Sequence, residues 1–284
     1  MPSIAALRES IVHWAGDDPN VIALIETGST SRRDGQEDEF SDLDLEVIAA
    51  DPGRLARHDG WFRNFAVVWV VLRFDERRFP TRLVVYDGGP KVDYTLAGAD
   101  RLGDMREGLD SLYERGYEVL LDKQGVTEQL PRATGAFPII AAPSEEEFSF
   151  TVEEFWFEAT HMPRYLSRGD LWVVKFRDWT MKRDLLRMLE WRAIAESAEP
   201  VDVRYIGTRM REWVDAATWR HLHEIFGHFA EDDSWRALLA TTQLFGRVSR
   251  DVAATYGFEY PLELEQQIQS YLAAYAPPSA ATNP

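Results

Sequence analysis

Apolar and polar positions follow two different rhythms along the chain, and the change comes near residue 144. Before it, short apolar runs are bounded by turn residues. "VIALIETG" (21–28), "DLDLEVIA" (42–49), "FAVVWVVLRF" (65–74), "RLVVYD" (82–87) and "KVDYTL" (91–96) have the length and β-branched content of strands. The Asp87-Gly88-Gly89-Pro90 turn between the last two predicts a hairpin. "YEVLLDKQG" (117–125) adds a shorter extended segment. A helix over 3–15 is expected ahead of these strands, from the spacing of Ile4, Leu7, Ile11 and Trp14, and it stops at the polar "GDDPN".

After residue 144 the period becomes helical. Ser144 followed by Glu147 is a capping signal, and residues 171–194 form a long amphipathic stretch. "DAATWRHLHEIFGHF" (215–229) and "SWRALLATTQLFGRVSRDVAATYG" (234–257) continue in the same way. The expectation is an α+β chain. A mixed sheet with helices fills residues 1–135, a Pro- and Ala-rich linker runs over 131–144, and a helical bundle domain spans 144–275. Residues 276–284 read as a frayed tail. Trp156, Trp172, Trp179 and Trp191 on the helices read as core rather than as a platform for a sugar.

Composition narrows the classes. At 284 residues and 45% hydrophobic, the chain has enough apolar side chains for a full core. A net charge of −17 disfavours nucleic acid and suits a cationic partner or metal ions, although acidity also serves solubility alone. The absence of cysteine excludes disulfides, thiolate metal sites and a thiol nucleophile. The N-terminus has no signal-peptide pattern, and no run reaches the roughly 20 apolar residues of a membrane span. A soluble, cytoplasmic protein is expected, a monomer or weak dimer with no membrane or nucleic-acid partner. His221 and His223 are two apart on a helix and share no face, so zinc is disfavoured.

The chemistry concentrates on Asp42 and Asp44. At i and i+2 on a strand they leave the same face, where two carboxylates repel unless a cation or a set of donors sits between them. A solvated strand end is the other reading of the pair alone. Asp93 inside "KVDYTL" adds a third acid, and a strand beside 42–49 would bring it onto the same patch. Three such carboxylates suit hard divalent cations. Gly28-Ser29, in the turn after the first strand, offers close backbone approach and a hydroxyl to a polyphosphate.

These pieces resemble the nucleotidyltransferase superfamily, with its Gly-Ser, a loop, Asp-x-Asp on the next strand and a third acid on a later one. Within it the chain is similar to the aminoglycoside 6-adenylyltransferases, which modify streptomycin. The similarity rests on "GS" (28–29), "DEFSDLDL" (38–45), "YDGGPKVDYTL" (86–96) and "EVLLDKQG" (118–125). In the helical half it rests on "EFWFEA" (154–159), "KRDLLRMLEW" (182–191) and "YPLELEQQIQSYL" (260–272). The resemblance implies that Asp42, Asp44 and Asp93 are catalytic and bind magnesium, two ions in all. It also implies that Gly28 and Ser29 contact the phosphates of ATP as co-substrate. Thr30 and Ser31 separate Gly28-Ser29 from Arg32 and Arg33, where family members often place an arginine directly after the pair; Arg32 is the expected phosphate contact. Lys175 and Lys123 are further candidates for the phosphates, against a solvated helix face for the first and a turn-capping role for the second.

A tri-cationic acceptor also needs acids beyond the three aspartates, and Glu158, Asp170 and Asp178 of the helical half are the candidates. Three functions remain open at this point. The first is AMP transfer from ATP to an aminoglycoside hydroxyl with release of pyrophosphate. The second is nucleotidyl transfer to a protein or another small molecule. The third is a non-catalytic relative that binds nucleotide or drug.

Overall fold

The computed structural model describes residues 1–32, 38, 40–203 and 205–278. Arg33 and the tail from residue 279 lie outside them. The chain divides into two compact units, Met1–Pro138 and Ile139–Pro284.

In the first unit, helix α1 (Ile4–Asp17) begins at Ser3, whose hydroxyl accepts from the backbone N–H of Ala6. Strand β1 (Val21–Thr27), the four-residue helix α2 (Ser29–Arg32) and strand β2 (Leu43–Ala49) follow. After α3 (Pro52–Arg57) and a 3₁₀ turn over Trp61–Asn64 come β3 (Val68–Phe74), β4 (Thr81–Tyr86) and β5 (Lys91–Ala97). Helices α4 (Ala99–Glu107) and α5 (Ser111–Glu114) precede β6 (Glu118–Asp122). The expected hairpin is present: β4 and β5 pair antiparallel, and the N–H of Tyr86 donates to the carbonyl of Pro90 across the turn.

The six strands form one mixed sheet in the order β3-β4-β5-β2-β1-β6. Strands β2 and β5 are parallel, and the remaining neighbours are antiparallel. Leu43, Leu45 and Val47 of β2 point into a core closed by Leu7 and Ile11 of α1, Leu55 of α3 and the aromatics Trp61 and Phe62. Ile48 and Ala97 point the other way, onto Leu102 and Met105 of α4 and Tyr113 of α5. Helices α4 and α5 bury only those few apolar residues, which is why no helical period is visible between residues 98 and 115. The apolar run from residue 65 yields a strand only from Val68, because the turn before it is drawn into the aromatic core.

The second unit contains α6 (Glu145–Leu166), α7 (Leu171–Glu196), α8 (Met210–Trp213), α9 (Ala216–Leu222), α10 (Glu231–Tyr256) and α11 (Leu262–Tyr275). Ser144 and Glu147 make the predicted reciprocal cap at the start of α6. The long helices enclose one apolar core in which Phe155 and Phe245 stack 3.5 Å apart beside Trp156. Of the four tryptophans expected in the core, Trp156 and Trp191 are buried, whereas Trp172 and Trp179 are 81% and 62% exposed. The helix α7 therefore carries aromatics on a solvent face, at 172, 176 and 179, as well as on its core face. No described helix is long and apolar enough to cross a membrane.

Candidate active site

Pairing register builds the site. Thr27 of β1 stands opposite Asp44 of β2, and Asp44 opposite Asp93 of β5, so the three lie in one row across the sheet. Asp42, two residues before Asp44, leaves the same face, and Lys91 stands likewise two before Asp93. The Lys91 ammonium donates to Asp42 Oδ2 at 2.6 Å and to Asp93 Oδ2 at 3.0 Å. Asp93 Oδ1 is buried and has no hydrogen-bond partner.

The electrostatics follow from this crowding. Burial, then the charges of Asp93 and Asp42, push the Asp44 carboxyl up to about 6, with Lys91 and Arg32 pulling against them. Burial also raises Asp93, partly offset by Lys91. For Lys91 burial works downward, but the hydrogen bonds and charges of Asp42 and Asp93 outweigh it and hold the ammonium above its ordinary value.

Gly28 closes the row on the β1 side. Its φ is +82°, and a β-carbon there would overlap Asp44 Oδ2 and lie 2.9 Å from Asp44 Cγ. Only glycine meets both demands, the left-handed backbone and the close approach of the carboxylate. Ser29 and Arg32 sit on α2, the helix that follows directly. Ser31 of the same helix is buried, with its hydroxyl in reach of the carbonyls of Gly28 and Gly116 at 3.1 and 3.2 Å, which ties α2 to the turn before β6. Thr30 Oγ1 is buried without a partner. A cavity of about 590 Å³ opens beside Asp42 and Lys91, between the start of α1, Thr30 and the Gly88-Gly89-Pro90 turn.

The structure brings together Gly28, Ser29, Arg32, Asp42, Asp44 and Asp93, and it does not bring Lys123 to them. Lys123 follows β6 beside Ile22, and its ammonium donates to the carbonyl of Asp18 at 2.8 Å. From Ile22 to Thr27 is five strand residues, about 17 Å at the usual rise. Lys175, Glu158, Asp170 and Asp178 belong to the helical unit. Lys175 donates to the carbonyl of Gly227 at 2.9 Å. Glu158 is paired with Arg177 at 2.7 Å, and Asp178 with the buried Lys182. Asp170 caps α7 by position without a side-chain bond to the helix. A cavity of that unit, about 710 Å³, has an apolar wall that includes Trp179, Leu189, Met210, Trp219 and Phe226, and none of these acids borders it.

Two charged neighbours of the acid row escaped the sequence reading. Lys91 is one, signalled only by standing two residues before Asp93. The other is Glu46, which continues the Asp42, Asp44 alternation into the sheet. Tyr113 donates to Glu46 Oε2 and Arg101 to Oε1 at 2.8 Å, while Arg101 also holds Asp110. Burial raises the Glu46 carboxyl against the pull of Tyr113 and Arg101. An acid in an otherwise apolar run was the available signal.

As the side chains stand, no three of the described His, Asp and Glu residues are arranged to enclose a metal ion. The Lys91 ammonium spans two of the three aspartates instead. The donor set nonetheless fits a hard cation: three carboxylates crowd one face, one is pushed toward neutrality by burial and then by its neighbours' charges, and a buried oxygen of Asp93 lacks any hydrogen bond.

A strand-turn Gly-Ser, an acid pair and a third acid in register thus share one face of a mixed sheet. The family model for streptomycin adenylyltransferase matches residues 1–275. The chain belongs to that family and is by class a nucleotidyltransferase enzyme. An aminoglycoside 6-adenylyltransferase of Bacillus subtilis (strain 168) is 22% identical over 280 residues, covering 95% of this chain and 97% of the relative. One from Campylobacter jejuni is 20% identical over 280 residues, covering 96% and 95%. The crystal structure of an aminoglycoside 6-adenyltransferase from Bacillus subtilis matches with a TM-score of 0.46 at 18% identity, over 95% of this chain and 98% of that one.

Proposed function

We propose that the protein transfers AMP from ATP to a hydroxyl of an aminoglycoside, streptomycin, and releases pyrophosphate. The observation that carries this reading is the convergence of Asp42, Asp44 and Asp93 on one sheet face beside Gly28-Ser29, in a chain of the streptomycin adenylyltransferase family. Asp42, Asp44 and Asp93 would hold magnesium, which supplies the positive charge that offsets the phosphates during transfer. Gly28 and Ser29 cradle the phosphates at the turn, with Arg32 one helical turn further on.

The acceptor oxygen attacks the α-phosphorus, and the new O–P bond forms as the bond from that phosphorus to the β-phosphate bridge breaks. The hydroxyl proton passes to the Asp93 carboxylate, which stands in register with Asp44. Net charge steers the polycationic acceptor toward the protein. Of Glu158, Asp170 and Asp178, Asp170 is the one whose charge no described basic side chain neutralises, since Glu158 pairs with Arg177 and Asp178 with Lys182.

Mass spectrometry of streptomycin incubated with the protein, ATP and magnesium tests the reading. One added AMP on the drug, with pyrophosphate appearing only when drug is present, is the expected result. AMP found on the protein itself, or pyrophosphate release indifferent to the drug, would overturn it.

A further inference from the structure

Lys91 opens β5, and Asp93 follows it on the same face. Two of its three ammonium protons are committed to Asp42 and Asp93, which come from separate parts of the chain and meet only through the β2–β5 pairing. The clasp uses one oxygen of each acid.

We infer that Lys91 is an internal counter-cation of the acid row: it holds Asp42 and Asp93 together before magnesium enters, and it must let them go when magnesium does. This rests on the proposed assignment of magnesium to the three aspartates. The argument is one of competition. An ammonium and a divalent cation seek the same carboxylates, and at contact distance each repels the other. The clasp offsets the repulsion among Asp42, Asp44 and Asp93 in the metal-free protein, so the acids stay converged. It also turns metal entry into an exchange of cations, which weakens metal binding to the protein alone. Lys91 borders the cavity of about 590 Å³, so the released ammonium faces a space large enough for the phosphates of a nucleotide. Binding of metal is thereby coupled to arrival of ATP.

Manganese binding to the nucleotide-free full chain, read by electron paramagnetic resonance, tests this. Lys91→Met is expected to bind Mn²⁺ about tenfold more tightly than the wild type, since a repelling charge is gone. Lys91→Arg should keep the wild-type affinity, and Asp44→Asn should lose binding. If Asp44→Asn binds Mn²⁺ as the wild type does, the metal does not sit on these acids, and both the assignment and the inference fall. If Asp44→Asn loses Mn²⁺ but Lys91→Met gains nothing, or Lys91→Arg gains as much as Lys91→Met, the clasp is overturned while the magnesium assignment stands.

A measurement on the wild type needs no variant to fold. The chain has four lysines, at 91, 123, 175 and 182, so labelled lysine side chains can be resolved by NMR. Magnesium should shift the Lys91 ε-carbon and leave that of Lys123 in place. An unmoved Lys91 signal, at magnesium levels that displace Mn²⁺, would refute the inference.

Discussion

Gly28 and Asp44 are packed so closely that a β-carbon on the first would overlap a carboxylate oxygen of the second. Gly28→Ala therefore forces Asp44 out of line and strains a backbone at φ +82°. The expected cost is about 1–3 kcal/mol of stability, with turnover lowered by about two orders of magnitude from the displaced carboxylate. Thermal unfolding and steady-state kinetics on the purified variant measure both. Wild-type turnover in Gly28→Ala would mean that Asp44 does not need its observed position.

Asp42→Asn and Asp44→Asn should each lower turnover by roughly a thousandfold or more, because the transition state loses charge stabilisation. Circular dichroism should show the fold retained, since neither side chain belongs to the apolar core. Asp93→Asn should depress turnover far more than ATP affinity, the mark of a proton acceptor. Equal losses in both would make Asp93 a nucleotide ligand alone.

Asp184, on α7, gives a pH signature unconnected with the acid row. It is 2% exposed, and burial, then the charge of Glu154, push it up to about 6 against the pull of Arg183. A carboxyl raised in the folded state contributes stability below its unfolded value, near 3.8, and that contribution is lost as pH rises through about 6. Asp184→Asn should reduce the slope in this window, leaving the share due to Asp44, and stabilise the protein at pH 7 by on the order of 2 kcal/mol. Chemical denaturation at several pH values between 4 and 7 provides the check, and an unchanged slope would refute the assignment.

Ionic strength separates the two substrates. If the net charge of −17 attracts the acceptor, raising salt from low to about 0.5 M should raise the KM for streptomycin several-fold through screening. The KM for magnesium-bound ATP should change less, since it depends on close contacts at the acid row. A drug KM indifferent to salt would sink the steering argument.

Much of the fold was legible because its sheet is built from runs that announce themselves. Asp87-Gly88-Gly89-Pro90 fixed a hairpin, and Ser144 with Glu147 fixed a helix start. The acid row was legible through the alternation of Asp42 and Asp44, since a period of two is a local property. Lys91 and Glu46 were not, because their roles depend on which strands become neighbours and on where Tyr113 and Arg101 arrive. The exposed Trp172 and Trp179 misled for a related reason: aromatic content marks burial on average, but a helix of mixed faces gives no local sign of which face meets solvent.

The parallel pairing of β2 with β5, alone of its kind among the described strands, is a seam between two separately connected pieces. Strands β3, β4 and β5 follow one another as an antiparallel ribbon, and β1 with β2 forms another. Each ribbon can zip along short stretches of chain, whereas joining Asp44 to Asp93 bridges 93 − 44 = 49 positions and bears the larger loss of chain freedom. During folding Asp93 thus need not meet Asp42 and Asp44 until both ribbons are in place to restrain them. Parting the seam scatters the acid row while each ribbon keeps its own hydrogen bonds, so catalytic competence would be forfeited at a smaller disturbance than the secondary structure.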